Sequence, residues 1–411
     1  MTDSPTETHL SIAVIGAGIG GLAAALSLHR AGFDVHVYEQ ARRLSEVGAG
    51  IQVSPNASRV LERLGLAEDL AAMGVRPLAW HQRRWDDGRT LLHTPLGDAV
   101  VEAFGSPHYQ MHRADLLSAL GRKLPADRVH PNHRLVGLVD YGDRVGAEFA
   151  DGSTVDVDVL VGADGIHSAV RESLFGPQEA NFTGCVAYRG LVPADRLGHL
   201  GLEVTSEVWM GPERHFVHYF VQNERLVNFV AIVEQDTWTR ESWTDHGDVA
   251  VALADYDGWH PQVRSILGSV DETFVWALFD RAPLDRWSAG RVTLLGDACH
   301  AMLPFMAQGA AQAIEDGATL TSCLIQVEQP EEALRLYEQL RLPRTSRIQA
   351  QSAINKIRFH LPDGPEQQER DTQMASGSTD WSVRAVAWIY GHDAAEIDAT
   401  AAARAASPRS P

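Results

Sequence analysis

A chain of 411 residues is long enough for two to three domains with a sizeable core, and 45% hydrophobic with 22% charged residues is the composition of an ordinary globular enzyme. The 35 Lys and Arg against 54 Asp and Glu leave a formal net charge of −19, which repels phosphates and excludes nucleic acid and anionic membrane as partners. Three widely spaced cysteines, Cys185, Cys299 and Cys323, form neither a disulfide framework nor a zinc pattern, so a cytoplasmic location is expected.

The opening "MTDSPTETH" carries no Lys or Arg, and the apolar run "SIAVIGAGIGGLAAALSL" holds four glycines, which argues against a targeting or membrane segment. That run and its continuation "HRAGFDVHVYEQ" read as strand, tight turn, helix, turn, strand. Gly16, Gly18 and Gly21 form G-x-G-x-x-G between strand and helix, and Glu39 ends the next strand 18 residues after Gly21. Such glycines let a backbone approach a pyrophosphate at a helix N-terminus, and a carboxylate at the second strand end takes ribose hydroxyls. A dinucleotide site is expected here.

"HRADLLSALGRKL" follows as an amphipathic helix. Three alternating strands come next, with turns at Tyr141–Gly142 and Asp151–Gly152. This meander replaces the βα repeats of an NAD dehydrogenase, and no second fingerprint appears, so the chain has one permanent dinucleotide site. Thr183 to Glu234 is strand-rich and aromatic, "RVTLLGDA" is a buried strand, and Gln308 to about Leu361 is mostly helical. The end, "ATAAARAASPRSP", is expected to fray.

"GDACHAMLPFMAQGAAQAIED" places Asp297, Cys299 and His300 together, a pattern that suggests a metal or a nucleophile with its base. No third ligand stands at metal spacing, so no metal is expected. Gly309, Ala310 and Ala311 instead leave the next helix N-terminus bare, and its N–H groups can bind the edge of a flavin. Asp297, at the strand end, can accept hydrogen bonds from a polyol. In "RHFVHYFV", alternation puts His215, Val217 and Tyr219 on one face and Phe216, His218 and Phe220 on the other. Alternation alone leaves open which face lines a pocket.

Together "GAGIGGLAAALSLHRAGFDVHVYEQ", "GADGIHSAVR" and "GDACHAMLPFMAQGAAQAIEDG" resemble the class A flavoprotein aromatic hydroxylases, a resemblance that covers nearly the whole chain, from about Ile12 to about His360. Salicylate, 3-hydroxybenzoate and 6-hydroxynicotinate hydroxylases are the most similar in appearance. The resemblance implies an α/β fold: a Rossmann-like FAD domain of the 4-hydroxybenzoate hydroxylase type (residues 10–75, 105–180 and 280–325), an interleaved β-sheet substrate domain (76–104 and 181–279), a helical region (326–395) and a flexible tail (396–411). It implies non-covalent FAD, held by Gly16, Gly18, Gly21, Glu39, Gln40, Gln52, Arg113, Leu135, Asp164, Asp297, Gly309 and Ala310. NADH or NADPH would dock transiently to reduce the flavin, and O₂ would react to a flavin C4a-hydroperoxide that hydroxylates a small aromatic acid. His215 and Tyr219 become the catalytic candidates, expected to bracket one ring substituent, with Tyr188, Met306 and Gln308 lining the pocket. A monomer or homodimer is expected. The competing readings are a same-fold monooxygenase or epoxidase for a larger apolar or polyketide-like substrate, and a flavin redox sensor without turnover.

Overall fold

The computed structural model describes residues 10–43, 49–236, 246–377 and 383–397; most of the expected tail, residues 398–411, lies outside them. The strand Ser11–Ile15 pairs in parallel with Asp34–Glu39 on one side and Val159–Gly162 on the other. Val292–Leu294 and Val129–Pro131 extend this sheet in parallel at either side, and Ser288–Ala289 adds an antiparallel edge. Parallel strands are covered on both faces and read as continuous apolar runs; Ile12, Ala13 and Val14 are accordingly sealed from solvent.

The helix Ile19–Arg30 is apolar nearly all round because it is covered twice. One side packs on the sheet and the other on the helix Gly309–Gln326. The two helices approach closely through small residues: a Cβ at Gly317 would sit 2.7 Å from Ala24 Cα, and one at Gly20 would sit 2.8 Å from Ala313 Cβ. The three-stranded meander is antiparallel and turns at Gly142 and Gly152, both left-handed, as the sequence indicates.

A second sheet of eight strands runs in the order His246–Gly247, Thr273–Asp280, Asn181–Pro193, Leu226–Glu234, Arg214–Val221, Ser206–Gly211, Ala79–Arg84, Thr90–Pro95. Its back face packs Trp209, Phe216, Phe229 and Val233 against the helices Val249–Asp255 and Pro261–Leu267. Its front face carries Ala187, Val208, Met210, Ile232 and Trp276, which meet Leu303, Phe305 and Phe359. The 30-residue helix Pro330–Phe359 joins both units. Tyr337 donates from its hydroxyl to Leu294 O in the first core, and Phe359, near the other end, packs on the second sheet.

The two long helices are locked by a buried ionic cluster. Glu315 and Asp316 are fully buried on Gly309–Gln326. Arg341 of the long helix donates from Nε to Asp316 (2.7 Å) and from a terminal nitrogen to Glu315 (2.5 Å). Arg344 adds two bonds to Glu315, and Asn56 Nδ2 another at 2.6 Å. Burial pushes the Glu315 carboxyl up, but Arg341 and Arg344 outweigh it and hold it down at about 2. Asp316 is likewise held low: burial raises it, and His300 and Arg341 prevail.

Carboxyls held low in the folded state contribute stability above the ordinary carboxylate range and lose it as pH falls through their depressed values. Arg341→Met removes the one cation shared by both carboxylates, leaving Glu315 to Arg344 and Asp316 to His300 in a dry interior, and should cost about 3–5 kcal/mol at pH 7 in urea unfolding. The gap to the parent should narrow as pH drops from the ordinary glutamate value of 4.5 toward 2. A pH-independent penalty below about 1 kcal/mol, the size of an exposed pair, would contradict this account.

Candidate active site

The glycines of the first turn divide the labour. Gly16 has φ +104°, and a Cβ there would lie 2.5 Å from Ala163 O; one at Gly21 would lie 2.0 Å from Gly16 O. Both serve internal packing. Gly18 is different: a Cβ there would meet nothing within 4 Å. It caps the helix Ile19–Arg30, which has no side-chain cap, so this N-terminus opens on free space as a diphosphate requires.

Glu39 accepts from Ala17 N (2.8 Å) and Ala41 N (2.7 Å), pinning the end of the second strand to the turn. Gln40 follows it, exposed. Asp164 lies in the next crossover. It accepts from Ser168 Oγ (2.5 Å) and Val170 N (3.1 Å), holding the start of the helix Ala169–Phe175, and burial raises its pKa. Arg113 opens the helix Arg113–Lys123, its exposed side chain on the surface and its N–H on Ala49 O at 2.8 Å. Leu135 begins the meander with its side chain in the core, which leaves its backbone as the part able to meet a ligand.

The third motif resolves the question of Asp297, Cys299 and His300. Gly296 takes φ +63°, and the chain turns into a short helix with Asp297 exposed at its start. Cys299 is buried with Sγ 3.4 Å from Gly296 O, and burial raises its thiol well above the ordinary value. His300 Nε2 lies 2.6 Å from Asp316 Oδ2, the same oxygen that accepts from Gly296 N at 3.0 Å. The three side chains therefore do not converge on one point. The helix Gly309–Gln326 begins beyond them without a side-chain cap, and a Cβ at Gly309 would find only Met302 Cγ, at 3.9 Å. Its first amides face open space.

The strand pair Gly50–Val53 and Tyr109–His112 faces the front of the second sheet. Gly50 N donates to Asn228 Oδ1 (2.6 Å), and Gln52 Nε2 lies 3.5 Å from Ser206 Oγ. Gln52 thus stands against the same sheet face as Tyr219, whose ring lies 2.8 Å from where a Gly50 Cβ would be. On this face His215 is buried, its ring 4.9 Å from that of Phe305. Burial, then His360, lowers its pKa well below the usual histidine value. Tyr219 is buried too, and burial raises its hydroxyl despite the Arg189 cation nearby. Met306 adjoins this cluster, its sulfur accepting from Asn355 Nδ2 at 2.8 Å.

Three sequence expectations are corrected by this geometry. Tyr188 lies on the back face, with its hydroxyl 3.1 Å from Asp255 Oδ2; strand alternation puts its neighbour Arg189 in front instead. Gln308 is taken up by the protein: Nε2 donates to Ser54 Oγ, and Oε1 accepts from Asn56 and Gln312. His215 and Tyr219 share a face, but four residues along a strand place their Cα atoms about 13 Å apart. They cannot bracket one substituent.

Sequence reasoning also missed the orphaned polar groups of this front side. Gln82 and Gln110 are buried with both amide atoms unpartnered, as are Asn228 Nδ2 and Arg189 Nε. Burial lowers the Arg189 pKa to about 10, leaving it charged at neutral pH, and its guanidinium lies 4.6 Å from the Trp276 ring centre. Unpartnered buried donors and acceptors gathered on one apolar face mark a ligand site.

A family model described as FAD binding domain matches residues 9–352. A 3-amino-4-hydroxybenzoate 2-monooxygenase, PtmB3 of Streptomyces platensis, is 43% identical over 95% of this chain and 99% of its own length. A 6-hydroxynicotinate 3-monooxygenase of Bordetella bronchiseptica is 40% identical over 84% of this chain and 91% of its own. For 3-hydroxybenzoate 6-hydroxylase 1 of Aquipseudomonas alcaligenes the identity is 34%, over 94% of this chain and 99% of its own. Among solved structures, Klebsiella pneumoniae HpxO complexed with FAD and uric acid superposes with a TM-score of 0.81 at 27% identity, over 91% of this chain and 95% of its own. A salicylate hydroxylase substrate complex gives 0.80 at 27%, over 97% and 98%. The aminohydroxybenzoate enzymes were not among the sequence expectations. With an uncapped glycine turn, an open second helix N-terminus and a polar-studded apolar sheet face all in place, the chain belongs to the FAD-binding aromatic hydroxylases and is an FAD-dependent aromatic-ring monooxygenase.

Proposed function

We propose that the enzyme hydroxylates a monocyclic aromatic acid whose ring hydroxyl lies meta or para to its carboxylate, of the 3-hydroxybenzoate, 6-hydroxynicotinate or 3-amino-4-hydroxybenzoate kind. The observation that carries this reading is the front face of the second sheet. It is polar at two separated places, with an apolar stretch at Val217 and Val230 between them. At one end stands His215, neutral and able to accept a proton. At the other stand Tyr219 and Asn228, and Arg189, charged with Nε unpartnered, reaches in from the neighbouring strand level with Val230, its cation near enough to act on the Tyr219 hydroxyl. A cation and a phenol suit a carboxylate, and a neutral imidazole suits a ring hydroxyl that must ionise. The separation disfavours salicylate, whose two groups are adjacent.

FAD would lie with its diphosphate on the Gly16–Gly21 turn, with Glu39, Gln40, Arg113, Leu135 and Asp164 along the nucleotide. Asp297 would hold the ribityl chain, Gln52 would face the ring, and Gly309 and Ala310 would meet the pyrimidine edge. When bound, it supplies the redox chemistry, drawing electrons from NADH or NADPH and oxygen from O₂. The protein's task is to hold the acid by Arg189 and Tyr219, to present the ring, to take the hydroxyl proton at His215, and to exclude water with Phe305, Trp276 and Met306. The relatives are named for acids of the meta and para kind, which supports the reading.

The test is NAD(P)H oxidation and product formation with those three acids and salicylate. A meta or para acid should be hydroxylated with most of the reducing equivalents recovered in product. Salicylate as the preferred substrate would overturn the assignment of the two ends.

Arg189→Met should raise KM for the acid by about ten- to a hundredfold, the 1.5–3 kcal/mol of a charge-assisted bond, with FAD binding intact. Replacing Tyr219 by Phe should slow hydroxylation by a similar factor, and His215→Ala by ~10²–10⁴. His218 sits on the back face, its Nε2 3.4 Å from the Gln262 amide, and His218→Ala should keep most of the turnover. So should Cys299→Ala, because its thiol is a buried filler; a loss beyond about a hundredfold in that variant would make the thiol a participant.

A further inference from the structure

A file of three side chains leads from the pocket face to water. His215 Nδ1 lies 2.7 Å from His360 Nε2, and His360 Nδ1 lies 2.7 Å from Glu234 Oε1. Both imidazoles are buried, whereas the Glu234 side chain is 37% exposed. The rest of this surrounding is closed: Phe305 and Phe359 pack on His215, and Phe305 also flanks His360.

The donor inventory sets the direction of the protons. The His360 hydrogen bond holds the Glu234 carboxyl below its usual range, so Glu234 is an acceptor. His360 then carries its proton on Nδ1 and offers a lone pair at Nε2. His215 in turn must donate from Nδ1, which leaves its Nε2 as a free base. The neighbouring charges agree with neutral rings. Burial lowers His360, and Lys356 and Arg214 add to that against the pull of Glu234. Burial pushes the Cys185 thiol up to about 11, which keeps it neutral. Cys185, Glu234 and His360 lie close enough to hold a metal ion, but the Lys356 ammonium, which donates to Thr183 O at 2.7 Å, already supplies a cation to this corner.

We propose that His360 and Glu234 form a proton exit from the active site. The ring hydroxyl gives its proton to His215 Nε2; the Nδ1 proton of His215 passes to His360 Nε2; and the Nδ1 proton of His360 passes to Glu234 Oε1, from which it leaves to water. Each imidazole takes one proton and gives one, the substrate becomes a phenolate, and the carboxylate is restored on release. No charge is left inside the dry pocket except the one that activates the ring. His360 and Glu234 act through His215 and are positioning residues. The proposal rests on His215 facing the ring hydroxyl.

Two measurements on the FAD-loaded enzyme test it. Nitrogen-15 NMR of the imidazoles should find Nδ1–H at both His215 and His360, and Nε2–H at His360 would overturn the relay whatever the substrate is. Stopped-flow mixing with 3-hydroxybenzoate, 6-hydroxynicotinate or 3-amino-4-hydroxybenzoate and a pH-indicator dye should show proton release on binding. Glu234→Gln and His360→Gln should slow that release at least tenfold and shift the pH profile of hydroxylation to higher pH, while Glu234→Asp restores it. Release at the parental rate in both Gln variants refutes the exit. A parent that releases no proton with any of the three acids refutes instead the placement of His215 at the hydroxyl, with the NMR tautomers still deciding the relay.

Discussion

The site depends on the burial of two adjacent acids, Glu315 and Asp316, in the middle of an otherwise small and apolar helix. Two carboxylates in a dry interior are tolerable only when cations and donors meet them with good geometry. Here they gather Arg341 and Arg344 from the long helix, Asn56 from the helix Pro55–Leu61, and His300 and the Gly296 amide from the segment after the last parallel strand. One cluster therefore sets four segments against one another. The start of Gly309–Gln326, the Asp297 turn and the Leu303–Met306 segment that packs on the second sheet all inherit their places from it.

That arrangement explains why the chemistry-bearing side chains of the Gly296–Gln308 segment are turned inward. Asp316 engages His300, the protein buries Cys299, and Gln308 is spent on Ser54 and Asn56. What remains open is backbone: the amides after Gln308, and Gly18 at the first helix. Backbone amides fixed by a rigid surround are preorganised donors for an anionic ligand. The polar groups we propose for the reaction stand instead on the facing sheet, where Arg189, Tyr219 and His215 lie on strands whose registers fix their separation. The proposed cofactor cradle and substrate face thus belong to separate units joined by the long helix, which ends beside His215 at Phe359 and His360.

Much of this was legible in the sequence, for reasons that differ from place to place. The strand–turn–helix at Gly16 to Gly21 is local, and steric limits at three glycines nearly dictate it. The meander turns at Gly142 and Gly152 and the face shared by His215 and Tyr219 follow from alternation alone. Tyr188 shows the weakness of the same rule: "CVAYRGLVP" offers adjacent aromatic and cationic residues, and only pairing with the strands on either side shows that Arg189 is the one in front. That His215 and Tyr219 stand too far apart to bracket one substituent follows from the rise per residue of a strand alone. Contacts between distant segments were out of reach. Nothing near Glu234 in sequence announces His360, 126 residues on, and the acids of "AIEDG" gain their meaning from Arg341. An acidic pair inside an apolar helix was nonetheless a signal that buried cations had to come from elsewhere.

The central claim is that the front of the second sheet holds an aromatic acid end to end between Arg189 and His215. A crystal structure of the FAD complex soaked with 3-amino-4-hydroxybenzoate tests it most directly. The account requires the carboxylate within hydrogen-bond distance of Arg189 and Tyr219 and the ring hydroxyl within that distance of His215 Nε2. An acid bound in the reverse sense, or a ring lying on the Trp209–Phe216 face, would contradict it.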